Sequence, residues 1–178
     1  MTLRSVDNCI KRKRQMKKFL AERLNFAGKK PLLGIILDRE LSVKEETVLQ
    51  EILEGTGYVN VQVVILADTN LMAFSVAHTI VVPYNRIGRR EILEAADIAL
   101  SFSFSDVEEM LLHGTIPVSP VRPEVMDYNP NHETGNGFIY RKDGCWSIFA
   151  ALVRALETYK FPYDWRNIVR QGLEKARE

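Results

Sequence analysis

The sequence predicts an α/β fold with three layers, in which helices cover both faces of a parallel sheet. Pro31–Leu37 is an apolar run without alternation, which is typical of a strand that is buried on both sides, and Val59–Ala67 is predicted as a second buried strand. Segments with helical periodicity separate these runs, which indicates βαβ units wound right-handedly around one parallel sheet. The length of 178 residues fits a single domain of this kind.

Six strands are predicted along the chain, each bounded by residues that break regular structure. They cover residues 31–37, 59–67, 79–82, 97–100, 116–118 and 137–140. The segment 71–77 fits neither a helix nor a strand pattern clearly. Because the other runs alternate with helical segments, we expect them to pair in parallel.

Helices are predicted between these strands from the spacing of apolar residues and from capping residues. Ser42 followed by Glu45 has the spacing of a capping box, and Ser105 followed by Glu108 has the same spacing. The predicted helices cover residues 7–25, 42–54, 89–95, 106–113, 147–159 and 163–176.

Positive charge is concentrated at the N-terminus of the chain. Residues 1–30 hold ten Lys or Arg against two acids, whereas the whole chain has a net charge of +1. Such a segment is compatible with nucleic acid or an anionic membrane, but no recognition motif follows it. A solvated helix surface is therefore the favoured interpretation, with neither nucleic acid nor membrane as partner. This charge divides the chain into a basic helix or linker at 1–30 and a domain at 31–178.

The cysteines and histidines do not have the spacing of a metal site or a disulfide framework. They are Cys9, Cys145, His78, His113 and His132. We therefore expect no metal and no organic cofactor, and a reducing compartment. No apolar run approaches the ~20 residues that span a bilayer, and no signal-peptide pattern is present, so we expect a cytoplasmic location. Neither a P-loop nor a G-x-S-x-G motif occurs, and no G-x-G-x-x-G follows the first strand, which disfavours the chemistries of those motifs.

Polar residues that follow the strands are the candidate site residues, because ligands of parallel α/β sheets bind beyond the carboxyl ends of the strands. Arg39 and Lys44 follow the first strand, and two cations beside a helix N-terminus can bind a diphosphate. Glu109 lies on the helix after the fourth strand, where a carboxylate can hold ribose hydroxyls. On spacing alone, ordinary surface charges explain these residues better.

Four segments, in order, resemble the C-terminal domain of bacterial glycogen and starch synthases. They are Lys30–Arg39 with Lys44, Ala95–Leu100, Gly114–Val118, and Met126–Pro130 with Thr134–Phe138. Cys145–Ser147 and Pro162–Trp165 also resemble the final helices of that family. The resemblance implies the second Rossmann-like domain of a two-domain GT-B glycosyltransferase. It further implies ADP-glucose or UDP-glucose as donor and an α-1,4-glucan as acceptor.

The resemblance also implies roles for particular residues. Arg39 and Lys44 would be the catalytic pair, which grips the donor diphosphate and offsets the charge of the leaving group. The other nucleotide contacts that it implies come from Glu109, Thr115, Asn136 and Gly137.

Three departures from the family pattern fall in the donor-site loops. Glu45 stands where the family usually has Gly, and Ser101–Ser105 replaces a Glu-Pro-x-Gly stretch. Pro120–Pro123 replaces Thr-Gly-Gly, and because proline has no N–H it removes a phosphate donor. Arg122 is the candidate that compensates for this loss.

The 178 residues include no counterpart of the family's N-terminal acceptor domain, so three functions stay open. The first is a transferase completed by a separate acceptor domain or a homodimer. The second is a non-catalytic domain that binds a nucleotide sugar or a glucan, and the third is an interaction or scaffold domain with a degenerate donor site. We expect the isolated chain to be inactive, since one domain cannot align the acceptor, and to expose an apolar patch where a second domain packs.

Overall fold

The computed structural model describes residues 3–68, 78–84 and 87–178. Within these ranges six strands form one sheet in the order β3-β2-β1-β4-β5-β6, and all neighbouring strands are parallel. The strands are β1 Leu32–Leu37, β2 Gln62–Ala67, β3 Thr79–Pro83, β4 Ile98–Leu100, β5 Ile116–Pro120 and β6 Phe138–Tyr140. This is the strand order of the Rossmann fold, which confirms the predicted fold class.

Helices cover both faces of the sheet and create two apolar cores. The helices in the described ranges are α1 Leu3–Leu24, α2 Val43–Thr56, α3 Arg89–Ala95, α4 Val107–Leu112, α5 Cys145–Tyr159 and α6 Pro162–Lys175. One core packs the sheet against α2, α5 and α6, and the other packs it against α1, α3 and α4. The strand β1 is buried along its whole length, because its alternate side chains enter the two cores.

The predicted elements agree with the observed ones in type and order. The first helix begins at Leu3 rather than at residue 7, and the capping box of Ser42 and Glu45 is present. The segment 71–77 lies outside the described residues.

The predicted cap of α4 is wrong. Asp106, not Ser105, is the N-cap, and its carboxylate accepts the N–H of Glu109 at 2.9 Å. The hydroxyl of Ser105 instead accepts the N–H of Phe102 at 2.9 Å. Ser105 therefore stabilises the turn before the helix rather than the helix itself.

The basic helix α1 uses part of its charge inside the molecule. The Lys13 ammonium donates to the carbonyl oxygens of Leu93 at 2.8 Å and His113 at 3.1 Å, at the C-terminal ends of α3 and α4. Lys17 forms an ion pair of 2.7 Å with Asp97. Because Lys13 and Lys17 are only 5% and 6% exposed, the prediction of a solvated basic surface is wrong for both.

A topological switch point lies between β1 and β4. The chain proceeds from β1 to β2 on one side and later returns to β4 on the other side. In open α/β sheets a crevice forms outside the carboxyl ends of the strands at such a point. The connections after β1, β4, β5 and β6 meet at this edge, which we call the carboxyl edge.

Candidate functional site

A cleft of about 240 Å³ lies at the carboxyl edge. It is bordered by the first turns of α2 and α5 and by the segments that follow β4, β5 and β6. Its lining residues are Ser42, Lys44, Glu45, Val48, Phe102, Ser103, Pro120, Tyr140, Asp143 and Ile148. Its position at the switch point is where a ligand of this fold class binds.

Lys44 supplies an available cation to this cleft. Its side chain is exposed, and within the described part of the chain its ammonium has no hydrogen-bond or ion-pair partner. The capping contacts use the N–H groups of Glu45 and Glu46, which bind Ser42 at 3.3 and 2.9 Å. The N–H groups of Val43 and Lys44 are then the free donors of this helix start. An anion bound at this helix start would meet one ammonium and two backbone N–H groups.

Arg39, the other predicted cation, is already engaged. Its guanidinium contacts the Glu45 carboxylate at 2.7 and 3.3 Å. Its other side lies over the ring of Phe104, 3.9 Å from the centroid. The hydrogen bond from Arg39 lowers the pKa of Glu45 to about 2, so this carboxylate is charged at neutral pH. The structure therefore brings Arg39 to the correct edge of the sheet but neutralises it there.

The segment Ser101–Ser105 forms a fixed turn over the carboxyl edge. The rings of Phe102 and Phe104 stack in parallel with centroids 5.5 Å apart. The Tyr140 hydroxyl donates to the carbonyl oxygen of Ser101 at 2.9 Å, and Arg122 donates to that of Ser105 at 2.6 Å. Arg122 thus fixes this turn, which was not foreseen from the sequence, where it was the candidate to replace lost phosphate donors.

Glu109 lies at the same edge, on the face of the sheet covered by α3 and α4. Its carboxylate accepts a hydrogen bond from Arg89, the first residue of α3, and Arg89 also forms an ion pair of 2.7 Å with Asp38. The Glu109 side chain is 30% exposed, so solvent reaches it. Arg89 and Asp38 were missed by the sequence reasoning. Asp38 had a usable signal, because it directly follows β1.

Thr115, Asn136 and Gly137 lie at the opposite edge of the sheet, since each precedes a parallel strand. The Thr115 hydroxyl is fully buried and donates to the carbonyl oxygen of Leu93 at 2.6 Å. Asn136 is buried and bonds the backbone on the loop before β6. A Cβ on Gly137 would lie 2.9 Å from the carbonyl oxygen of Pro117. The structure therefore does not bring these three residues together with Arg39, Lys44 and Glu109.

The described residues contain neither a candidate membrane-spanning helix nor a candidate metal site. No helix among them is long and apolar enough to cross a bilayer. No group of at least three His, Cys, Asp or Glu side chains among them is arranged to hold a metal ion.

Comparison with known sequences supports the predicted resemblance. No protein-family model matches the chain. The glycogen synthase of Fervidobacterium nodosum is 23% identical over an aligned length of 186 positions, gaps included, and the alignment covers 93% of this chain and 38% of that protein. The chain therefore spans well under half the length of this relative.

Comparison with solved structures gives the same picture for the fold. The catalytic domain of starch synthase IV from Arabidopsis thaliana, bound to ADP and acarbose, has a TM-score of 0.72 at 18% identity, over 90% of this chain and 38% of that one. Anabaena HepE, in complex with UDP and glucose, has a TM-score of 0.64 at 13% identity, over 91% of this chain and 47% of that one.

A third structure matches along almost its entire length. It is the C-terminal domain of a group 1 glycosyltransferase, LpcC from Francisella tularensis, with a TM-score of 0.62 at 13% identity. The match covers 93% of this chain and 91% of that domain. The chain is thus similar to glycogen synthase over nearly its whole length, and it has the fold of the C-terminal domain of GT-B glycosyltransferases.

Proposed function

We propose that this chain is the nucleotide-sugar-binding domain of a glycosyltransferase of the glycogen and starch synthase type. The donor is ADP-glucose or UDP-glucose, and its diphosphate lies beside Lys44 and the start of α2. The observation that carries the proposal is that Lys44, an unpaired cation, lines a cleft at the switch point of the sheet. The starch synthase that contains ADP and the HepE enzyme that contains UDP and glucose share this fold, which supports the choice of ligand.

In this proposal the role of Lys44 is electrostatic. Negative charge grows on the diphosphate as the glycosidic bond breaks, and a fixed cation lowers the energy of that state more than it lowers the energy of the bound donor. The helix N-terminus adds to the effect, because its N–H groups and its dipole both favour an anion. No metal and no organic cofactor are required.

The cleft is smaller than the 300–1,000 Å³ typical of ligand sites, at about 240 Å³. We infer that it holds the diphosphate end of the donor and that a facing domain completes the site and binds the glucan. Val43 and Val121, which are 80% and 63% exposed, border the carboxyl edge and are the apolar residues such a domain would contact. The isolated chain is accordingly expected to bind the donor without transferring glucose.

Thermal unfolding in the presence of ADP or UDP tests the proposal. A ligand at 100 times its dissociation constant stabilises by about 2.7 kcal/mol, which raises the Tm by roughly 5–10 °C for a domain of this size. Lys44→Ala should abolish most of this shift, whereas Lys11→Ala, at an exposed lysine of α1, should leave it unchanged. Equal shifts for the two variants would contradict the assignment of Lys44.

The second candidate is a non-catalytic interaction or scaffold domain with a degenerate donor site. It is favoured by two ion pairs that occupy side chains expected to bind the nucleotide sugar: Arg39 is paired with Glu45, and Glu109 is paired with Arg89. This candidate predicts no thermal shift with ADP, UDP or their glucose conjugates at millimolar concentration. It also predicts that Lys44→Ala behaves as the unsubstituted chain does.

A further inference from the structure

The contact between Arg39 and Glu45 has the form of an anion site that the chain fills itself. The two terminal guanidinium nitrogens of Arg39 donate to the two carboxylate oxygens of Glu45, at 2.7 and 3.3 Å. The same carboxylate accepts the N–H of Ser42 at 2.8 Å and the hydroxyl of Ser42 at 2.9 Å. A guanidinium fork, a hydroxyl and a backbone N–H at a helix start are also the donors that a phosphate group uses.

The position of Arg39 makes this contact relevant to the cleft. Glu45 and Lys44 both line the cleft, so the Arg39 guanidinium lies one side chain behind its wall. The Phe104 ring, 3.9 Å away on the other side, keeps the guanidinium in this place. The carboxylate of Glu45 thus contacts the cation, and Glu45 also lines the cleft where we place the diphosphate.

We propose that Glu45 competes with the donor's diphosphate for Arg39. Because the Glu45 carboxylate already occupies the guanidinium, it lowers the affinity of the cleft for nucleoside diphosphates. The inference rests on the proposed function, because it concerns the same ligand and the same cleft. Binding then requires that Arg39 exchange one anionic partner for another, so part of the binding energy is spent on breaking the resident ion pair. The side chain at position 45 thus sets the affinity for the donor.

The test is the variant Glu45→Gln, titrated with ADP, UDP and inorganic pyrophosphate by calorimetry. Glutamine removes the charge that holds Arg39 but keeps an oxygen for the Ser42 N–H, so the start of α2 stays capped. We expect the variant to bind each diphosphate roughly tenfold more tightly, the equivalent of one charge-assisted hydrogen bond. Pyrophosphate shows whether the gain belongs to the diphosphate rather than to the base.

Two further variants separate competition from a general effect of charge. Glu46→Gln removes one negative charge from the same helix turn, at an exposed residue without a contact to Arg39. It should give a much smaller gain in affinity for the diphosphates. In the background of Arg39→Ala, the substitution Glu45→Gln should give little gain in affinity, because this background lacks the guanidinium that the substitution would otherwise free. Such a dependence in a double-mutant cycle measures the coupling between the two residues.

The outcomes distinguish this inference from the function on which it rests. Tighter binding by Glu45→Gln that depends on Arg39 supports the inference, including the case in which only the variant binds. If the unsubstituted chain binds ADP or UDP and Glu45→Gln gains no more than Glu46→Gln, the inference fails and the proposed function stands. Absence of binding in every variant overturns both.

Discussion

The buried ion pair between Lys17 and Asp97 joins the basic helix α1 to the sheet. The two side chains are 7% and 9% exposed, and their charged atoms are 2.7 Å apart. Asp97 also accepts the N–H of Leu32, the first residue of β1, at 2.9 Å. Burial opposes the charge of Lys17, yet the neighbouring Asp97 carboxylate raises the pKa of Lys17. We predict that Asp97→Asn strongly destabilises the domain.

The magnitude follows from the burial of the lysine. An asparagine oxygen still accepts the Leu32 N–H, so the main loss is the negative partner of Lys17. The ammonium would keep only neutral partners, which are the asparagine oxygen, the Lys30 carbonyl and the Tyr159 hydroxyl. Breaking a buried pair by removing one partner costs about 3–5 kcal/mol. For a domain of this size that is a fall in Tm of roughly 6–20 °C.

Urea unfolding of the variant measures this loss, with Asp7→Asn as the matched control. Asp7 is paired with Arg166 at 2.6 Å, but its side chain is 56% exposed, so its loss should cost less than about 1 kcal/mol. The double variant Lys17→Met/Asp97→Asn should lose less than the sum of its single variants, because no unpaired charge is then buried. The reasoning is refuted if Asp97→Asn costs no more than Asp7→Asn.

Two further predictions concern other parts of the fold. Burial lowers the pKa of Lys13 to about 8 from its ordinary 10.5, so the unfolded chain holds more protons than the folded one between these pH values. The free energy of unfolding, measured relative to that of Lys13→Met, should therefore rise as the pH is raised from 8 to 10.5. A difference that stays constant or falls in urea titrations would contradict this prediction. Gly135→Ala should lower the free energy of unfolding by about 2–4 kcal/mol, since Gly135 has a φ of 119° and an added Cβ would lie 2.5 Å from the Tyr128 Cα. Gly144→Ala is the control, because a Cβ there contacts nothing within 4 Å, and it should be nearly neutral in the same assay.

The fold was predictable from the sequence because its strands are short apolar runs buried on both faces. The run from Leu32 to Leu37 has no polar residue, which a half-exposed strand would need. The capping box of Ser42 and Glu45 was equally predictable, since its contacts are local in sequence. The resemblance to glycogen and starch synthases then added the expected place of the donor site.

Several of the predicted site residues lie away from the carboxyl edge for a geometric reason. Thr115 and Gly137 directly precede β5 and β6, and residues before a parallel strand lie at the edge opposite the carboxyl ends. This rule was available from the predicted order of strands, but the resemblance outweighed it. The pairing of Arg89 with Glu109 was different, because it depends on how α3 and α4 pack side by side. No sequence pattern gives that distance.

The neutralisation of Arg39 could not be predicted either. The sequence indicated that Glu45 takes part in capping α2, and the family resemblance implied that Arg39 faces the donor, but the two side chains lie in contact with each other. In the structure the carboxylate of Glu45 forms an ion pair with the Arg39 guanidinium. The Phe104 ring completes the contact from a segment more than sixty residues away.

The most direct test of the proposed function is an NMR titration of the isotopically labelled chain with ADP and with UDP. If the diphosphate lies at the start of α2, the backbone amides of Val43 and Lys44 should show the largest shift changes. The same amides should respond to inorganic pyrophosphate, and Lys44→Ala should weaken the response. Shift changes that are absent at millimolar nucleotide, or that centre on the opposite edge near Thr115 and Asn136, would contradict the account.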